Sequence, residues 1–128
     1  EIFTNNKFFF LKEVGEEKLI VNFFATWCVP CIKEHKFFME LSKKEDIKII
    51  GINYKDNSEK TIEWLSEKGN PYNSVAIDKK GKVAINWGVY GIPETFIIDK
   101  SGIIKFRLVG PITKKNFKKI NQIIDDIN

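Results

Sequence analysis

The stretch KLIVNFF, Lys18 to Phe24, is an almost unbroken apolar run. A strand turns successive side chains to opposite faces, so a run apolar at nearly every position must be covered on both sides. IKIIGINY, Ile47 to Tyr54, makes the same demand. Between them, CIKEHKFFMELSKK carries Ile32, Phe37, Phe38 and Leu41 near helical spacing, with polar residues between. Two doubly covered strands joined through a helix require parallel pairing and a right-handed crossover.

The remainder extends this pattern. NSEKTIEWLSEKG has Ser58 as a candidate N-cap, Ile62 and Leu65 to face inward, and Gly69 to end the helix. SVAID (Ser74 to Asp78) reads as a short strand, and GKVAINWGV as a turn plus a short helix. TFIIDKSGIIKFRLV is two strands about the turn Asp99-Lys100-Ser101-Gly102, a hairpin. Thr113 can cap a final helix with the apolar stripe Phe117, Ile120, Ile124 and Ile127. The expected fold class is α/β: a central mixed sheet with helices on both faces, in one domain spanning 1–128. Ligands of such sheets bind at the carboxyl ends of the parallel strands, and Cys28 lies just past the first of them.

Composition narrows the function classes. The chain has 128 residues, 43% of them hydrophobic and 30% charged, as in ordinary globular domains. Its net charge of +4 comes from scattered lysines rather than a basic stripe interleaved with aromatics, which argues against nucleic acid. Two cysteines cannot build a multi-bridge framework. No apolar run approaches the roughly 18 residues needed to span a bilayer. The opening EIFTNNKFFFLKEV lacks the basic-then-apolar order of a signal peptide, and its Phe8–Phe10 run reads as ordinary packing.

The two cysteines stand three apart in TWCVPCIKEH. Attachment of c-type haem needs His directly after the second, where Ile32 stands. A zinc site would have to add His35 and Glu34 to Cys28 and Cys31, with no second cysteine pair to help. A purely structural disulfide would close a very small loop and stabilise little. A redox pair explains the position better. With Cys28 capping a helix that begins near Val29, free amides and the helix dipole favour its thiolate. Pro30 surrenders an N–H that would lack an intrahelical partner. Cys31, one turn in and less exposed, can resolve a mixed disulfide. Trp27 would shield one side of the first sulfur.

The strand–Trp-Cys-x-x-Cys–helix unit, followed later by GIPETF, resembles the thioredoxin superfamily. FFATWCVPCIKEH, GINYKD, WLSEKGNPY and GVYGIPETFIIDKSGII are more narrowly similar to the DsbE/CcmG family, the thiol:disulfide interchange proteins of cytochrome c biogenesis. The resemblance runs from about Leu19 to the final helix. It implies a thioredoxin-like fold with a helix-plus-strand insertion between the Cys-x-x-Cys helix and a cis-proline loop. Pro93 matches the cis proline, beside which the backbone of Ile92 would pair with an extended substrate strand. Tyr90 in GVYG would border the groove. Glu34 and Glu94 match positions that line an acidic groove; a carboxylate there opposes thiolate formation and can also accept the proton of a buried resolving thiol. Thioredoxin usually has Asp where this chain has Asn22, so any proton-transfer duty would pass to Glu34, leaving Asn22 to tune the site or satisfy backbone groups.

The function so implied is thiol:disulfide oxidoreduction as a reductant in c-type cytochrome maturation. Its substrate would be apocytochrome c or a maturation thiol protein, and a DsbD/CcdA-type membrane donor would re-reduce it. No metal or organic cofactor is required. A periplasmic location is implied, with an N-terminal inner-membrane anchor outside this chain. The alternatives are a general TlpA/ResA-like oxidoreductase with other substrates, a non-catalytic module that holds apocytochrome, and a peroxidase. His35, among Lys33, Glu34 and Lys36, reads as solvated, and Trp64 and Trp87 as packing residues.

Overall fold

The computed structural model describes residues 17–127, so the Phe8–Phe10 run lies outside the described residues. In chain order the elements are β1 (Lys18–Phe24), α1 (Val29–Leu41), β2 (Ile47–Tyr54), α2 (Ser58–Lys68), β3 (Ser74–Asp78), the short α3 (Lys82–Asn86), β4 (Glu94–Ile98), β5 (Ile104–Val109) and α4 (Lys114–Asp126). The strands form one mixed sheet in the order β3-β2-β1-β4-β5. β1 pairs in parallel with β2, and β2 with β3, while β4 runs antiparallel to both β1 and β5.

β1 thus sits at the centre, and every residue of it is buried. The chain steps from β1 to β2 to β3 in one direction, so two right-handed crossovers lay α1 and α2 on the same face. There Ile20 and Phe24 meet Phe38 and Leu41 of α1, Leu65 of α2, and Ile120 and Ile124 of α4. The alternate residues Leu19, Val21 and Phe23 point the other way, against Val83 and Ala84 of α3 and Trp87. Trp87 packs edge-on to Phe23 and Phe96, and Trp64 lies over Phe24; both are packing residues. No helix among the described residues is long and apolar enough to cross a membrane.

Three local expectations need correction. The N-cap of α2 is Asn57, whose side chain accepts from the Lys60 amide at 2.9 Å; Ser58 is already inside the helix. Thr61, not Ile62, turns inward with Leu65, because the Thr61 hydroxyl donates to Asn53 Oδ1 at 2.8 Å on the end of β2. Ile62 is left 68% exposed. On α1 the inward stripe is Cys31, Glu34, His35, Phe38 and Leu41, while Ile32 faces solvent. Two titratable groups therefore occupy positions that apolar periodicity would give to hydrocarbon.

Gly51, in the middle of β2, makes room for this arrangement. It is the register partner of Asn22, and a Cβ there would come within 2.8 Å of Phe24 Cε1 and 2.9 Å of Tyr72 Cδ1. The Tyr72 ring instead stacks on Phe24, centroids 4.7 Å apart, and its hydroxyl reaches over the sheet to Asn22. Alanine normally gains over glycine inside a strand, but here overpacking outweighs that gain. Gly51→Ala should destabilise the fold by about 1–3 kcal/mol, a fall of several degrees in Tm, measurable by thermal unfolding followed by circular dichroism.

Candidate active site

Where β1 runs out, Thr26 ties the chain down before the cysteines. Its amide and hydroxyl both donate to the Asp56 carboxylate, at 2.6 and 2.9 Å, and the Trp27 indole N–H donates to the Lys55 carbonyl at 3.0 Å. Burial works to raise the Asp56 carboxyl, but donors from Thr26, Asn57 and Asn53 hold it below the usual carboxylate range. A charged Asp56 thus couples the loop after β2 to the loop after β1. Lys55 turns this corner with φ 44°.

Cys28 then caps α1. Its backbone is extended, its sulfur accepts from the Cys31 amide at 3.3 Å, and Pro30 occupies the first turn. Cys28 and Cys31 are joined as a disulfide. The expectation of one open and one sheltered sulfur needs correction in this oxidised form, since the residues are 5% and 4% exposed. What is open is the collar around them. Trp27, Val29 and Tyr90 are exposed, Tyr90 at 88%. Trp27 leans toward β2, its ring 6.5 Å from that of Tyr54. Tyr90 belongs to the segment entering β4, on the other side of β1.

That segment carries the cis peptide bond Ile92–Pro93. The Ile92 carbonyl oxygen lies 3.9 Å from Cys28 Sγ, so the proline loop and the disulfide are in contact. The chain leaves the loop into β4 at Glu94, and the Gly110 amide, just past β5, donates to the Pro93 carbonyl at 3.0 Å.

The two carboxylates do not line an open groove. Glu94 is 2% exposed and accepts from Arg107 Nε at 2.6 Å. Glu34, 1% exposed, points from α1 down onto the sheet. One oxygen accepts from the Ile112 amide at 2.9 Å and the other from Asn22 Nδ2 at 3.0 Å. Burial pushes the Glu34 carboxyl up to about 7, against those two hydrogen bonds, which pull it down. Asn22 is fully buried and sits at the hub: its amide nitrogen also approaches Thr95 Oγ1, and its oxygen accepts from the Tyr72 hydroxyl at 2.8 Å. Burial, and secondarily the Glu34 charge, keeps the Tyr72 phenol protonated. One turn beyond Cys31 on the buried face of α1, then, lies a buried acid whose pKa is pushed up to about 7, hydrogen-bonded to Asn22 and Ile112 and, through Asn22, to Tyr72.

His35 is not solvated. Its Nε2–H donates to the Gly69 carbonyl at 2.8 Å and its ring packs edge-on to Trp64, 4.4 Å between centroids. Burial lowers its pKa, the carbonyl partly offsetting the effect, so the ring is neutral at pH 7. Of the four residues of the zinc alternative, Cys28 and Cys31 are bonded to each other and His35 and Glu34 hydrogen-bond inward. Among the described residues no group of three or more His, Cys, Asp or Glu is arranged to hold a metal ion. Sequence reasoning missed Asp56, Tyr72, Thr95 and Arg107; only Arg107 carried a signal, as the lone arginine among 21 basic residues.

The Redoxin family model matches residues 2–124. The thiol:disulfide interchange protein CycY of Rhizobium leguminosarum bv. viciae is 47% identical over 78% of this chain and 54% of its own length. The thiol:disulfide interchange protein DsbE of Vibrio cholerae is 45% identical over 80% of this chain and 55% of its own. The chain spans about half the length of these curated relatives. Among solved structures, a thiol:disulfide interchange protein of the thioredoxin family from Chlorobium tepidum superposes with a TM-score of 0.74 at 27% identity, covering 89% of this chain and 83% of that one.

Proposed function

The chain belongs to the Redoxin family and, within it, to the thioredoxin-like DsbE/CcmG group, and on that premise we propose that it is a thiol:disulfide oxidoreductase acting as a reductant in c-type cytochrome maturation. The observation that carries the reading is the contact between the N-cap disulfide of α1 and the cis Ile92–Pro93 loop, inside a collar of exposed apolar side chains.

In the reduced protein, Cys28 faces the free amides and positive end of α1, which favour its thiolate. That thiolate attacks one sulfur of a substrate disulfide, forming a mixed disulfide and releasing the substrate's other sulfur as a thiolate, which takes up a proton. Cys31 then loses its proton and attacks Cys28, which frees the reduced substrate and leaves Cys28–Cys31 oxidised. Two electrons pass from the pair to the substrate. Glu34, one turn beyond Cys31 on the same buried stripe, is the acceptor for the Cys31 proton. The Ile92 backbone receives an extended substrate segment as an added strand, with Trp27 and Tyr90 on its flanks.

The substrate is apocytochrome c or a thiol protein of its maturation, and a membrane donor of the DsbD/CcdA type returns the electrons. No metal or organic cofactor enters these steps. The reading carries a periplasmic location and an inner-membrane anchor outside this chain.

A Cys31→Ser variant tests it. Cys28 can still attack, but the mixed disulfide cannot be resolved and accumulates. Incubated in periplasmic extract, it should trap apocytochrome c or a maturation thiol protein, released by dithiothreitol and identified by mass spectrometry. A broad, unselective catch would favour a TlpA/ResA-like generalist, and no covalent catch would remove the reading.

A further inference from the structure

Twenty of the 21 basic residues are lysine. Arg107, the exception, uses its fork. From β5 its Nε donates to Glu94 Oε1 at 2.6 Å and its Nη2 to the Gly88 carbonyl at 2.7 Å. The guanidinium lies over the Phe96 ring, 5.3 Å from its centroid. A lysine ammonium is a point donor on a flexible stem and cannot span both acceptors in one plane.

The two acceptors are the ends of one loop. Gly88 ends the turn after α3, Glu94 begins β4, and between them stand Tyr90, Gly91, Ile92 and the cis bond to Pro93. β5 pairs with Glu94 through Val109, and Gly110 just past it donates to the Pro93 carbonyl, but Arg107 is the β5 side chain that reaches both feet of the segment that touches Cys28. We propose that Arg107 is a positioning residue: by holding Gly88 and Glu94 together it fixes the Val89–Pro93 loop at the height where the Ile92 backbone receives a substrate strand beside Cys28. The proposal rests on the proposed function for its substrate, though not for the clamp itself.

The clamp predicts a split between binding and chemistry. Cys28, Cys31 and α1 are untouched by Arg107, so a loosened loop weakens capture of the extended segment and leaves sulfur transfer intact once the segment is bound. The side chain of Arg107 is 42% exposed, so lysine can replace it without disturbing the core.

The experiment compares wild type, Arg107→Lys and Arg107→Met in reducing a synthetic peptide with an oxidised Cys-x-x-Cys-His segment, dithiothreitol supplying electrons. Amide hydrogen exchange over residues 89–92 is followed in parallel. KM should rise about tenfold (about 1.4 kcal/mol) in Arg107→Lys, kcat should change by less than about twofold, and exchange over 89–92 should quicken. A role of charge or bulk alone would be rescued by lysine, so a wild-type KM in Arg107→Lys overturns the proposal. So does a raised KM without faster exchange, or faster exchange at an unchanged KM. Should the wild type fail to reduce the peptide at all, the functional reading falls, and unaltered exchange in Arg107→Lys then overturns the clamp independently. Arg107→Lys decides the matter if Arg107→Met does not fold.

Discussion

Cys28→Ser is expected to abolish turnover of a disulfide peptide, a loss on the order of 10⁴ or more, comparable to removing the nucleophile of other covalent catalysts. Serine is the substitution of choice because of where Cys28 sits. The sulfur caps α1 by accepting from the Cys31 amide, and a serine hydroxyl accepts the same bond at a position where serine is among the preferred residues. The helix and its dipole therefore persist, and unfolding measured against the reduced wild type should differ by less than about 1 kcal/mol. What is lost is the thiol proposed as the nucleophile, since a hydroxyl does not ionise near neutrality at a helix end. The apolar collar of Trp27, Val29 and Tyr90 is unaltered, so a peptide should still bind. Loss of turnover with binding retained separates exchange chemistry from a module that merely holds its partner. Turnover at the wild-type rate would mean that the sulfur is not the reacting atom, and the mechanism would fail with it.

The parts of this site that could be read from sequence are those carried by local pattern. Doubly covered strands announce themselves as runs such as Lys18–Phe24, and Cys28 could be assigned to the cap of α1 because a run of strand ends, a proline follows and a helical pattern begins. Pro93 could be read only through the likeness of GIPETF to a family, since nothing local to an X–Pro bond distinguishes cis from trans strongly enough. The rest depends on partners far apart in the chain. Asn22 meets Tyr72 at a separation of 50 residues, Thr95 at 73, and Glu34 meets Ile112 at 78. No window of sequence holds both ends of such a bond. Helix phase failed for a related reason. A hydrophobicity pattern gives buried positions to Ile32 and Ile62, but hydrogen bonds to Glu34, His35 and Thr61 set the rotation of α1 and α2, and those bonds close only once the sheet is formed. The acidic groove was implied by the family resemblance alone; in the fold, Arg107 holds Glu94 and the Asn22 and Ile112 donors hold Glu34 inside.

Glu34→Gln should remove the steepest pH dependence of stability near neutrality. The Glu34 carboxyl has an ordinary value of 4.5 and is pushed up to about 7 in the fold, chiefly by burial. Between those values the folded chain holds a proton that the unfolded chain has released. Stability then falls as pH rises, by about 1.4 kcal/mol per pH unit across the window. The contribution is fully present below 4.5 and has gone above about 7, roughly 3 kcal/mol in all. Glutamine keeps the shape and one acceptor but cannot titrate. His35 works the other way: its lowered pKa makes folding more favourable as pH rises through its own window below 6.5, so the raw wild-type profile mixes the two. Subtracting the Glu34→Gln profile cancels His35 and leaves the carboxyl alone. Denaturant unfolding at half-unit steps from pH 4 to 8 should give a difference curve with the negative slope stated, flattening above about 7. On the proposed mechanism the same ionisation governs the resolving step, because the carboxylate is the form that would take the Cys31 proton; Glu34→Gln should then slow resolution about a hundredfold at pH 8 while leaving the first attack by Cys28 nearly unchanged. A flat difference curve would place the Glu34 carboxyl at its ordinary value, and the buried acid could not then be the acceptor poised near neutrality on which the second half of the exchange depends.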